Sequence, residues 1–182
     1  NDKIYQIGGT YTRLFRVYRC IANDWRDAKE MDSAYSYYTL AEANLEIQSE
    51  LSDYYLEQLV MNYVSRANSA SAGTQYSYDF SDSLYNYAIH KSEEFFETNN
   101  FVTGAILSGY GNSLIDQKYY DDAVETLQGA NHYFESDSLN DRTDEIWSNK
   151  IRILKSLVYS EKNADVIKLS EAMLEEYSDR KD

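Results

Sequence analysis

An all-α fold of about four antiparallel helical hairpins is what this sequence predicts, on three observations. Apolar residues recur at helical spacing along nearly the whole chain, whereas strict two-residue alternation bounded by turn signals is hard to find. Among 182 residues there is no proline, the residue that helix interiors tolerate least. Polar residues do the punctuating, and most of the connections they mark are short, which forces successive helices to run antiparallel.

The elements follow in order. The spacing predicts a first helix over 3–26, amphipathic, with Ile7, Leu14, Tyr18, Ile21 and Trp25 on one side. A second, over 31–49, starts at Asp32 and carries Ala34, Tyr38 and Ala41. Ser52 opens 52–69, with Leu56, Leu59, Val60 and Tyr63 inward, and Ser81 opens 81–98, with Leu84, Tyr85 and Ala88. Asn100 precedes 101–116, and Tyr120 begins the turns of 119–134. Asp141 precedes 142–160, whose Ile153, Leu154 and Leu157 face Val166, Ser170 and Met173 of 163–178. The oxygen-bearing side chains named as starts can each accept an orphan amide proton of a first turn. The hairpins are thus 3–49, 52–98, 101–134 and 142–178, in a single domain spanning 1–182.

Eight helices in such an order make either a bundle or a solenoid, and internal repeats decide between them. In residues 107–130, Leu107, Tyr110, Gly111 and Leu114 stand at the offsets of one first helix, and Ala123, Leu127 and Ala130 at those of its partner. Residues 18–41 repeat the pattern with Tyr18, Ile21, Ala22 and Trp25, then Ala34, Tyr38 and Ala41. Small residues sit where helices approach closely and large ones fill the gaps. The chain resembles the tetratricopeptide repeat family in its longer, irregular branch. The second-helix anchors Ala34, Leu84, Ala123 and Val166 lie 50, 39 and 43 residues apart, longer than the usual ~34. The resemblance implies a right-handed superhelix and a protein- or peptide-binding role, commonly as the sensing or scaffolding part of a larger regulatory protein.

Composition excludes several classes. At 43% apolar and 15% aromatic the chain is too hydrophobic for intrinsic disorder. With 17 Lys and Arg against 31 Asp and Glu, the net charge of −14 repels phosphate backbones, so nucleic acid is not an expected partner. No stretch approaches 18 consecutive apolar residues, so no transmembrane segment is expected. The N-terminus lacks the layout of a signal peptide, and the single Cys20 fits a reducing compartment. The compartment stays open, with the cytoplasm favoured over an exported or periplasmic setting.

Catalytic signals are poor. Tyr87 and Gly129 stand three residues before His90 and His132, so no Glu-x-x-His pair exists, and there is no H-E-x-x-H. Cys20 has no histidine nearby, and Ser108 lies in no G-x-S-x-G elbow. The sequence therefore predicts no catalytic residues, no metal site and no cofactor. An enzyme or phosphatase-like regulator acting through amides such as Asn23 and Asn112 is the weakest alternative. A structural solenoid that assembles homo-oligomers or larger complexes is the stronger one.

The informative feature is segregated charge. Residues 1–26 hold five basic residues (Lys3, Arg13, Arg16, Arg19, Arg26) against two acidic ones, while the other 156 hold twelve against twenty-nine. At about 100° per residue, Arg13, Arg16, Arg19, Asn23 and Arg26 share one face, opposite the apolar set. By the resemblance, Arg19 and Asn23 occupy slots that line the concave groove and grip carboxylates and backbone amides of an extended peptide. Asn112 stands at the corresponding slot of the best repeat, where Ser108 replaces the charge. The candidate groove residues are Arg16, Arg19, Asn23, Arg26 and Asn112, and the expected partner is a protein or extended peptide with acidic groups. Nineteen tyrosines, Tyr54 and Tyr55 among them, read as packing residues, with any that face the groove serving as rigid anchors. The stretch 68–80 reads as a long insertion whose Tyr76, Tyr78 and Phe80 could contact a ligand as a lid.

Overall fold

The computed structural model describes residues 2–46, 51–96, 101–137 and 140–179, and the side chains of all of these except 2–8 and 179. Among the described residues every regular element is a helix: α1 (Asp2–Asp27), α2 (Met31–Glu46), α3 (Asp53–Ala72), α4 (Tyr78–Phe95), α5 (Phe101–Asp116), α6 (Tyr120–Ser136), α7 (Thr143–Tyr159) and α8 (Asn163–Asp179). The fold is all-α, and neighbours in sequence pack as hairpins. The chain divides into two compact units, Asn1–Thr98 and Asn99–Asp182.

Three of the four hairpins turn by the same device. Lys29, Lys118 and Glu161 each adopt the left-handed conformation, with φ of 64°, 69° and 59°. Around each, one amide donates back three residues and the next donates back five: Lys29 to Arg26 and Glu30 to Trp25, Lys118 to Ile115 and Tyr119 to Leu114, Glu161 to Val158 and Lys162 to Leu157. This paired closure satisfies the last helical carbonyls. All three turns lie five residues before the anchors Ala34, Ala123 and Val166, so turn and repeat share one register. Glycine is the usual residue here because a Cβ costs about 1 kcal/mol in this conformation. Lys118→Gly is therefore expected to raise the unfolding free energy by up to about 1 kcal/mol in urea titrations.

The α3–α4 connection differs, and it corrects the sequence reading. The segment 68–80 is not a long insertion. Helix α3 continues to Ala72 and α4 begins at Tyr78, with Ser77 as its cap, its hydroxyl accepting from the Phe80 amide at 3.3 Å. Ser81, expected to start this helix, is buried inside it and donates to the Ala67 carbonyl at 2.9 Å. Asp32 lies in the first turn of α2, but its carboxylate accepts from the Thr74 and Gln75 amides at 3.1 and 3.2 Å and from the Thr74 hydroxyl at 2.7 Å. These bonds hold the Asp32 carboxyl below its ordinary value and tie the connection to α2. Tyr76 stacks on Phe80 at 5.0 Å and both rings lie against Tyr35 of α2, so the two serve packing and not a lid. Tyr78 stays exposed. Ser52 precedes α3 without a side-chain cap bond, Asp141 accepts from the Thr143 amide at 3.0 Å as expected, and Asn100 lies outside the described residues.

In the first unit Ala22, Ala34 and Tyr38 form a buried cluster with Tyr37 on its edge. Asn62 of α3 donates to the Tyr38 carbonyl at 2.8 Å in the interior, pinning the second hairpin to the first. In the second unit Leu114, Ile115, Ala123, Leu127, Ile153 and Leu157 make the core, so α7 closes on the α5–α6 hairpin as α3 closes on α1–α2. The remaining small slots, Ala41, Gly111 and Ala130, are buried, while Leu107 and Tyr110 are half-buried.

The face of α1 departs from expectation. Its most buried residues are Phe15 and Ala22, at 1% and 0% exposure. Trp25 is 39% exposed, and Leu14, Tyr18 and Ile21 are half-buried. The inward direction is rotated toward the arginines, since α1 packs on α2 and its arginines also reach Tyr55 and Gln58 of α3. Leu14, Val17 and Ile21 lie about 100° to 160° around the helix from Arg16, on the side away from α3.

Candidate functional site: an arginine-lined cleft between the first and third helices

The rotation of α1 sets Phe15, Arg16, Arg19, Cys20 and Asn23 along one edge of a cleft of about 270 Å³, with Tyr54, Tyr55 and Gln58 of α3 along the other. The α1 residues recur at intervals of three and four, so one helix presents them together. On α3, Tyr54, Tyr55 and Gln58 are set against them by the inward packing of Leu59, Val60 and Tyr63.

Each guanidinium meets neutral groups. Arg16 Nη2 donates to the Tyr55 hydroxyl at 2.9 Å, with its carbon 5.7 Å from the centre of the same ring. Arg19 Nη1 donates to Gln58 Oε1, and its guanidinium lies 5.9 Å over the Phe15 ring. Arg19 Nε is buried without a hydrogen-bond partner among the described residues. Burial lowers the Arg19 pKa, yet its ordinary value is high enough that the group stays charged. Among the described residues neither arginine has a carboxylate partner, in a chain with fourteen more negative than positive groups.

The amide oxygen of Asn23 accepts from the Tyr38 hydroxyl at 2.6 Å, which fixes the side chain and leaves its nitrogen to donate elsewhere. Burial raises the Tyr38 phenol above its ordinary value, so it stays a neutral donor. Tyr54 and Tyr55 meet edge to face at 5.2 Å and give the α3 edge a rigid aromatic wall.

Of the sequence-predicted residues, Arg16, Arg19 and Asn23 are therefore brought together. Arg26 is not in this lining: it pairs with its neighbour Asp27 at 3.1 Å and reaches the Tyr38 hydroxyl at 3.5 Å. That pair is exposed and contributes little. Asn112 is exposed on α5 in the other unit. There Ser108, in the slot matching Arg19, is closed by its own network. It bonds Asn149 Oδ1, Arg152 Nη1 donates to both Ser108 at 3.2 Å and Asn149 at 3.1 Å, and Asn149 donates to Asn131 at 3.0 Å.

Sequence reasoning missed Gln58 and gave Tyr54 and Tyr55 to packing. The signal was the first-helix pattern Leu56, Leu59, Val60 and Tyr63, which fixes the inward side of α3 and hence the edge facing α1. Among the described residues no group of acidic, histidine and cysteine side chains is placed to hold a metal ion, and no helix is long and apolar enough to cross a membrane. No protein-family model and no curated protein matches the chain.

Proposed function

We propose that the protein is a non-catalytic scaffold that binds an extended peptide or protein segment carrying acidic groups, on an array of tetratricopeptide-like hairpins. The observation that carries this reading is the pair Arg16 and Arg19, two guanidinium groups in a cleft that offers them only neutral partners. Arg19 is half-buried, where a charge without a counter-ion is costly, while Arg16 stands exposed beside it. A carboxylate entering the cleft would replace Tyr55 or Gln58 as acceptor and form charge-assisted bonds, bidentate where the planar fork allows. Tyr54 and Tyr55 supply apolar area at low entropic cost beside it, and Asn23 offers a fixed amide donor for a peptide carbonyl. In such a regulatory or adaptor role the acidic remainder of the surface would repel acidic segments elsewhere and so favour this one positive site.

The test is binding to a displayed library of peptides of varied acidity, with Arg16→Glu/Arg19→Glu beside wild type. Retained peptides should be acidic, and the double variant should bind them at least about 30-fold more weakly, a loss of ~2 kcal/mol, with its helical circular dichroism unchanged. Equal binding by a folded double variant would remove the cleft from the reading.

A further inference from the structure

Two apolar faces remain open, one on the net-basic α1 and one shared by α7 and the acidic α8. On α1, the side away from α3 presents Leu14, Val17 and Ile21 at intervals of three and four, with Val17 52% exposed. On the last hairpin, Ile151, Leu154 and Val158 of α7 form a stripe at the same intervals, and Ile167 and Leu174 of α8 stand two turns apart. Ile151 and Ile167 are each 59% exposed and Leu174 is 67% exposed. Trp147 and Tyr177 meet at 6.5 Å where the two stripes converge, so together they make one surface on the side of the hairpin away from α6. Both units show what occupies the matching position elsewhere: α3 lies on the α1–α2 hairpin, and α7 lies on α5–α6 through Ile153 and Leu157.

Charge names the occupant. Helix α8 carries Asp165, Glu171, Glu175, Glu176 and Asp179 against the single Lys168, an excess that outweighs the Lys150, Arg152 and Lys155 of α7 against its Asp144 and Glu145, while α1 carries five basic residues against three acidic ones. Glu171 and Glu175, beside the α8 stripe, are exposed and have no partner among the described residues, and the same holds for Arg13 beside the α1 stripe. A first helix with an apolar stripe and a basic flank is what the α7–α8 face lacks, and α1 is such a helix.

We infer that α1 of one copy docks on the α7–α8 face of another, so that the protein self-associates head to tail. Leu14, Val17 and Ile21 cover Ile151, Val158, Ile167 and Leu174, and Arg13 meets Glu171 and Glu175. The two surfaces differ, so the contact is heterologous, and each added copy offers a fresh face until a ring closes. Mixed-sign flanks make the association fall with salt.

Sedimentation velocity across a concentration series tests this with wild type, Val17→Glu and Leu174→Lys, both changes being at exposed positions where helical content should hold. Wild type should grow past the dimer mass with concentration and shrink with added salt. Each variant alone should sediment as a monomer. An equimolar mixture should form dimers and nothing larger, because the intact α8 face of Val17→Glu accepts the intact α1 of Leu174→Lys. A wild type that stays monomeric at all concentrations overturns the inference. So does a Val17→Glu variant that still dimerises alone, which would mean a symmetric contact between α8 faces, and so does a mixture in which no dimer appears.

Discussion

Gly111→Leu should lower the unfolding free energy by about 3 kcal/mol, measured as a shift of the urea midpoint at unchanged slope. A Cβ at this position would stand 2.6 Å from Leu127 Cγ and 2.8 Å from its Cδ2, with the Ala123 carbonyl 3.5 Å away. Leu127 cannot give way at low cost, since it is fully buried among Leu114, Ile115, Ile153 and Leu157. Even Gly111→Ala should destabilise, although alanine in a helix interior ordinarily gains about 1 kcal/mol over glycine. Gly129→Ala is the control: its added carbon would lie 3.8 Å from Leu107 Cδ1, an ordinary contact, so the propensity gain should survive. A Gly111→Leu change below about 0.5 kcal/mol would mean that α5 and α6 have room to separate at this crossing.

The same crossing shows why much of the fold was legible in the sequence. Matching slots pair Gly111 with Leu127 in one unit and Ala22 with Tyr38 in the other. At the first crossing Leu127 Cγ occupies the place of a Cβ at position 111, so only glycine fits, whereas at the second the Ala22 methyl is accommodated in the Tyr38 cluster. Pairs of this kind are local in sequence, and so were the helices and the turns that precede the anchors. What was not legible depends on contacts across hairpins. The inward direction of α1 is a compromise between α2 and α3 that its own periodicity cannot weigh, so periodicity alone puts Trp25 in the core and passes over Phe15. Asp32 reads as a helix start because acidic residues favour first turns, yet its acceptors are spent on amides 42 and 43 residues away. The candidate cleft was half legible for the same reason. Charge segregation marked Arg16, Arg19 and Asn23, while their companions Tyr55 and Gln58 come from another hairpin.

Arg66→Met should cost about 3 kcal/mol at pH 8 and roughly 1 kcal/mol less at pH 5, because it strands a buried acid. Arg66 of α3 pairs with Glu42 of α2 in the interior of the first unit, both side chains nearly sequestered, and stacks at 5.8 Å over Tyr35. Burial pushes the Glu42 carboxyl up to about 7; the Arg66 charge opposes that rise and the nearby Glu46 adds to it. Glu46 in turn accepts from the Tyr63 hydroxyl at 2.9 Å, and burial with this bond holds that phenol protonated throughout the working range. A carboxyl whose folded value exceeds its unfolded one near 4.5 makes the folded state bind the extra proton between those two values. Stability contributed by Glu42 is therefore greatest at the acid end of that window and declines as the pH rises through about 7. Removing Arg66 takes away the charge that restrains the shift, so the window widens upward and the slope steepens. Glu42→Gln should flatten it, since an amide can still accept from Arg66 and has no proton to lose. General self-repulsion of a protein with net charge −14 has the same sign, but it is nearly equal in all three proteins, since each variant changes that charge by one, so the differences in urea midpoint between pH 5 and pH 8 report chiefly on the pair. Identical pH slopes in wild type, Arg66→Met and Glu42→Gln would show that Glu42 stays ionised in the fold across this range, with α2 and α3 held together by their apolar contacts and the Asn62 bond alone.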